Sequence, residues 1–304
     1  LGDISGSYSI DNKYTYWGLE ERPTWRYILG LSDDPGVEIN DSVISRTARN
    51  VNTQTVAYNA RSDVRFIMGS RINAKYAFNE SESSVRKNRS EGTTFPDLSW
   101  SLSNLERYKL ISFFFNSLAI DTRYAKKEDL TFSTADTTIG EALQTRTISE
   151  NYAPFFGMNF TWFNKLQCNL KYDRQISERE NYNAGEIANE TRTISNNWQF
   201  SMRFTLNARD GSIKLPIFGR LKSSLSFNIS VSRKHQKSEN NSHNDKGWTT
   251  TSDKTDFTIM PRISYSFSSN INGGLSARWQ DSNDKTRFQK SHVRELGIWV
   301  EINF

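Results

Sequence analysis

The chain has 304 residues with 39 Lys+Arg against 34 Asp+Glu, a formal net charge of +5 that is too mild and too mixed for nucleic-acid binding. Hydrophobic residues make up 36% and mean hydropathy is −0.69, yet aromatics reach 13%, which excludes a disordered chain. No stretch approaches the roughly 20 apolar residues of a membrane helix, the lone Cys168 excludes a disulfide framework, and His235, His243 and His292 lack metal-ligand spacing.

The start, Leu1-Gly2-Asp3-Ile4, has neither the basic start nor the apolar core of a signal peptide, so the chain is expected to be processed or part of something longer. Strands are predicted at about 1–16, 24–33, 46–60, 65–80 and 92–101. In the fourth of these, Ile72, Ala74, Tyr76 and Phe78 fall on one face, while Arg71, Asn73 and Lys75 fall on the other. The segment 102–115, with Phe113-Phe114-Phe115, does not alternate and reads as an inserted connection. Further strands are predicted at about 116–127, 145–162, 166–178, 191–206, 222–236, 250–267, 272–282 and 290–304. Trp198, Phe200, Met202, Phe204 and Leu206 oppose Gln199, Ser201, Arg203 and Thr205; Leu225 to Val231 oppose a Ser/Asn set. The run from Phe257 to Phe267 opposes Thr258, Arg262, Ser264 and Ser266, with Met260 as the exception. Finally Leu296, Ile298, Val300, Ile302 and Phe304 oppose Glu295, Gly297, Trp299, Glu301 and Asn303.

Such alternation suits either a soluble antiparallel sandwich or a membrane barrel. Length favours the barrel, because soluble strands run about 5–6 residues and these stretches run about 9–15, as a tilted strand crossing a bilayer requires. Aromatics near strand ends, such as Trp162-Phe163, Tyr265 with Phe267 and Trp279, suit interfacial girdles. Connections alternate between short turns, as at Phe163-Asn164-Lys165 and Ser268 to Asn270, and longer polar loops, as at about 79–92, 179–190 and 237–249; the linker at about 207–221 is long on the short-turn side. The expected fold is therefore all-β, an antiparallel transmembrane β-barrel wall of about 12–14 long strands forming a single region over 1–304, in the bacterial outer membrane. The strands enumerated come to about 13, and an odd count places Leu1 at the extracellular side and implies the C-terminal portion of a larger barrel, since complete bacterial barrels are even.

Because a lipid-facing charge costs about 2–4 kcal/mol at mid-bilayer, Arg71, Asn73, Lys75, Arg203, Arg262, Arg278 and Glu301 are expected to face the lumen, either lining a hydrated conduit or pairing within a plugged barrel. Leu296, Ile298, Val300, Ile302 and Phe304 are expected to face lipid and to carry the C-terminal signal read by the barrel assembly machinery. Cys168 shares a face with Leu166 and Leu170 and reads as a small apolar group. No nucleophile, base and orienting group come together, so neither an enzyme nor a cofactor is expected. Other solute-uptake or lipopolysaccharide-export barrels, a barrel enzyme and a soluble sandwich are the alternatives.

The stretch Thr94-Phe95-Pro96-Asp97-Leu98-Ser99-Trp100-Ser101-Leu102-Ser103-Asn104-Leu105-Glu106-Arg107 resembles a segment of the C-terminal barrel region of the SprA (Sov) family, the outer-membrane translocons of the type 9 secretion system. The family's closing hairpins are echoed by Pro261 to Phe267, by Asn272-Gly273-Gly274-Leu275 and by Arg294 to Ile298, and another of its segments by Lys214-Leu215-Pro216-Ile217-Phe218-Gly219. That resemblance implies a very large single-chain barrel passing folded cargo proteins, with periplasmic plug or accessory subunits as partners and no cofactor. The final residues depart from those of the gliding bacteria of that family.

Overall fold

A computed structural model describes residues 2–15, 19, 21–32, 34–37, 51–66, 69–83, 88–133, 141–163, 165–207, 213–215, 219–221, 224–242, 247–267 and 270–302. In chain order the strands are β1 (Asp3–Thr15), β2 (Val51–Arg65), β3 (Ser70–Ser83), β4 (Asn88–Leu102), β5 (Phe115–Ser133), β6 (Ala142–Trp162), β7 (Leu166–Asn183), β8 (Glu186–Asn207), β9 (Ile213–Leu215), β10 (Gly219–Leu221), β11 (Ser224–Ser242), β12 (Thr249–Ser266), β13 (Ile271–Asp284) and β14 (Gln289–Ile302). Twelve of them form one antiparallel sheet in sequence order, while β9 and β10 pair only with each other between β8 and β11. Within the sheet β1 pairs only with β2 and β14 only with β13, so each leaves one edge unpaired among the described residues.

Turn chemistry fixes the two ends of the sheet. Between β7 and β8 the chain reverses over Ala184 and Gly185, both left-handed at φ 51° and 84°, the backbone of a tight two-residue hairpin. Between β6 and β7, at the opposite end, Lys165 N–H donates to the Trp162 carbonyl at 3.2 Å. Prolines sit where the ladders break, because they have no N–H to give. Pro96 and Pro154 fall in the register shifts between Thr94 and Asp97 and between Tyr152 and Phe156. Pro261 falls in the gap between the Ile259 and Arg262 pairings of β12 with β13. The 102–115 segment holds a 3-10 turn (Leu105–Arg107) and a short helix, Lys109–Ser112, at the short-turn end. There Leu105 and Leu118 are buried and the Glu106 carboxylate accepts the Leu118 N–H at 3.2 Å.

The structure corrects the sequence reading in three places. Residues 24–33 are not a strand: Trp25–Ile28 make a helical turn closed by Gly30 at φ 71°. There Leu31 N–H reaches the Arg26 carbonyl and Gly30 N–H that of Tyr27, a Schellman closure that outcompetes the alternation seen in the sequence. The sheet count is consequently even, and Asp3 pairs with Asp63 beside the β2–β3 turn, so β1 begins at the short-turn end rather than the long-loop end. Several strands also run further than expected, β5 to Ser133, β7 to Asn183 and β11 to Ser242, and β8 reaches 22 residues. Most of the polar stretches at 79–92 and 179–190, and part of 237–249, are strand, because a ladder continues where both faces are polar and hydropathy gives no signal. The expected strand residues 46–50, together with His243, Ser268 and Phe304, lie outside the described residues.

Candidate functional site

Register decides which side chains share a face, because directly paired residues point the same way. Starting from Arg71, the pairs run Arg71 to Ser101, Ser101 to Asp121, Asp121 to Gly157, Gly157 to Lys171 and Lys171 to Gln199. Two and four positions along β8 stand Ser201 and Arg203, and Arg203 pairs with Asn228, Asn228 with Arg262 and Arg262 with Ser276. Arg278 follows on β13 and Asn272 pairs with Glu301. All seven polar residues singled out, Arg71, Asn73, Lys75, Arg203, Arg262, Arg278 and Glu301, therefore occupy one face across the whole sheet.

On that face several charges are matched across strands. The Arg71 guanidinium forks onto Asp63 at 2.8 and 2.6 Å, and Arg123 onto Asp97 at 2.9 and 2.8 Å; both carboxylates are buried. Arg278 lies 3.8 Å from Glu295, and Asn73 donates to Ser99 at 3.3 Å. Neither Asp63 nor Asp97 was singled out from the sequence: each sits at an ordinary polar position, and only register brings its arginine opposite. Replacing Asp97 with Asn should lower the unfolding free energy by about 1–2 kcal/mol, a modest cost because the half-exposed Arg123 stays solvated when it loses its bidentate partner. A urea midpoint unchanged from wild type would remove any stabilising role for the pair.

Arg203 and Arg262 differ from these, having no carboxylate within 4.0 Å among the described residues. Both line a hollow of about 620 Å³ with Asn159, Gln167, Asn169 and Ser230, beside the apolar Phe160, Met202, Ile229 and Met260. The Arg262 guanidinium stacks 4.3 Å above the Trp299 ring. Gly274 pairs with Trp299 on this face, and a Cβ there would run into the Ile263 carbonyl, so only glycine fits.

The opposite face carries the apolar stripes, and nothing in the described residues covers them. Leu296, Ile298 and Val300 are 81, 80 and 64% exposed, and Ile302 is exposed as well. A soluble sandwich would have buried them, and so large an uncovered apolar surface demands an apolar environment. Aromatics bound the stripes at both ends. Toward the long-loop end, ring contacts run from Tyr8 through Tyr58 to Phe78 and from Tyr124 through Tyr152, Phe155 and Tyr172 to Trp198. Toward the short-turn end stand Trp162 on Phe163 and Tyr265 against Phe267. Tyr152 and Trp162 pair with Arg174 and Leu166, eight positions apart on β7 because β6 bulges between them, about 26 Å of strand at a 3.3 Å rise and about 20 Å of height at a tilt near 40°. A bilayer's apolar band is about 25 Å tall.

Beyond the aromatics at the long-loop end the same face turns charged, and the charges are largely paired. Arg89 meets Glu80 at 2.6 Å and Glu141 at 3.0 Å and also contacts Glu91; Arg146 meets Glu128 at 2.7 Å and Arg192 meets Glu178 at 2.7 Å. Asp253 holds His235 and Lys285, and Asp281 holds His292 and Arg294. Cys168 is buried on the apolar face opposite Phe160 and Met202.

Neither the protein-family profiles nor the curated proteins contain a match to the chain. Among solved structures it is similar to the translocator domain of the autotransporter NalP from Neisseria meningitidis, at TM-score 0.30 and 8% identity over 99% of this chain and 87% of that one. It is also similar to the β domain of the Bordetella autotransporter BrkA, at TM-score 0.31 and 6% identity over 84% and 92% of the respective chains.

Proposed function

We propose that the chain is wall of a bacterial outer-membrane β-barrel that conducts proteins, with its polar face toward the passage and its apolar face toward lipid. One observation carries this reading: across the twelve strands of the sheet the apolar stripes all lie on one uncovered face, bounded by aromatics about 20 Å apart, with Arg71, Lys75, Arg203, Arg262 and Glu301 on the other. The short turns then face the periplasm and the long connections the exterior. The resemblance of Thr94 to Arg107 and of the closing hairpins to type 9 translocons supports folded secreted proteins as cargo, with periplasmic plug or accessory subunits as partners. The wall acts by holding a hydrated, charge-lined path open rather than by bond chemistry.

Arg262, one of the two arginines that line the hollow without a carboxylate partner, gives the test. Arg262→Glu in the full-length protein should leave membrane insertion intact and shift the ion preference of the pore toward cations in planar-bilayer recordings, because it replaces a free cation of the passage with an anion. Insertion lost as completely as with a charge on the apolar face, or insertion with conductance and selectivity unchanged, would reject the polar face as the lining of the path.

A further inference from the structure

At the level of the long-loop aromatics, two cations on the apolar face break the pairing seen beyond them. Arg174 on β7 stands opposite Tyr152 and Asn196, and Arg233 on β11 stands opposite Trp198 and Phe257. Both side chains are exposed, and neither has a carboxylate within 4.0 Å among the described residues. The acids nearby are engaged elsewhere: Glu150 with the Tyr124 hydroxyl, Glu178 with Arg192, and Asp253 with His235 and Lys285. Lys126, another unpaired cation near this level, differs in standing directly opposite Glu150. On β8, between the two arginines, Asn196 accepts the Tyr172 hydroxyl at 3.0 Å through Oδ1, which leaves its Nδ2 to donate. Beneath them Tyr172 and Trp198 stack at 4.3 Å. Three neighbouring strands thus offer two guanidinium forks and an amide donor above a flat aromatic floor.

We infer that Arg174, Asn196 and Arg233 form a docking patch for the anionic phosphomonoester headgroup of a lipid in the outward leaflet. The inference rests on the membrane reading above, which places this row at the interface between the acyl chains and the headgroups. An arginine there binds phosphate with two parallel hydrogen bonds, which a lysine ammonium cannot match, and a phosphomonoester offers it more negative charge than a phosphocholine, whose own cation a guanidinium repels. The aromatic floor packs against the first carbons of the acyl chains, as interfacial aromatics do. Paired charges farther out, such as Arg192 with Glu178, have no such vacancy and mark the region beyond the lipid.

The test uses the full-length protein in phosphatidylcholine nanodiscs doped with phosphatidic acid, with the lipids retained on the protein quantified by native mass spectrometry. Phosphatidic acid should be retained over phosphatidylcholine. Arg174→Gln and Arg233→Gln should each lower that preference about fivefold and together about twenty-fivefold, the effect of removing one surface cation at a time. Arg192→Gln should leave it unchanged. Equal retention of the two lipids by the wild type, or a double variant as selective as the wild type, would overturn the patch. Incorporation is read separately, by trypsin resistance in undoped phosphatidylcholine discs: a protein that fails to incorporate there overturns the membrane reading itself, whereas one that incorporates without selecting phosphatidic acid overturns only the patch.

Discussion

Ile229→Arg should prevent the chain from reaching a folded, membrane-inserted state, whereas Ser230→Arg, one position along, should be tolerated. Ile229 sits in the middle of the apolar band, in the row Met202, Ile229 and Pro261 across β8, β11 and β12. A guanidinium placed there meets hydrocarbon on every side, at a cost of about 2–4 kcal/mol near the midplane, a large share of the whole folding free energy of a domain. Ser230 points the other way, between Ser201 and Met260, into the hollow of about 620 Å³ that already holds Arg203 and Arg262. An added guanidinium can extend into water there. The measurement is the heat-modifiable, protease-resistant fraction after insertion into outer-membrane vesicles. Equal insertion of the two variants would mean that the faces are wrongly assigned.

Cysteine pairs joining the two edge strands should not form disulfides. The strands run antiparallel, since β1 begins and β14 ends at the short-turn end, so direct closure of a twelve-stranded barrel is sterically permitted. The two strands nevertheless make no ladder with each other, and Ile4 on β1 is 87% exposed. Unpaired backbone amides and carbonyls in hydrocarbon cost several kcal/mol each, so in a bilayer both edges must be bonded to something. On the reading proposed here that something is further strands of a wider barrel, which separate β1 from β14. In a Cys168→Ala background, Ser5→Cys or Ser7→Cys would be combined in turn with cysteine at Glu295, Gly297 and Glu301, covering several registers on the polar face. Arg278→Cys with Glu295→Cys, direct partners in β13 and β14, should lock fully on oxidation and serves as the reference. A disulfide between the edges would establish a closed barrel of twelve strands and favour a small-solute channel over a protein-conducting one.

How far the sequence alone reached follows from what a period of two can encode. Each strand's alternation is a local property, fixed by successive side chains pointing to opposite sides. The all-β class and the division of Leu296, Ile298, Val300 and Ile302 from Arg71, Arg203, Arg262 and Glu301 were therefore legible residue by residue. Local reading failed where the signal was absent or contested. Trp25–Ile28 alternate like a strand but close on Gly30 as a helical turn, and the outer ends of β7, β8 and β11 are polar on both faces, so nothing in their hydropathy marks them as strand. What only the tertiary structure decided is pairing across strands: which arginine meets Asp63 and which Asp97, which cations are left without a carboxylate, and that β1 and β14 keep open edges. Those facts depend on register between segments as far apart as Asp97 and Arg123. Register is set by the sum of the ladder hydrogen bonds, bulges and turns rather than by any one residue.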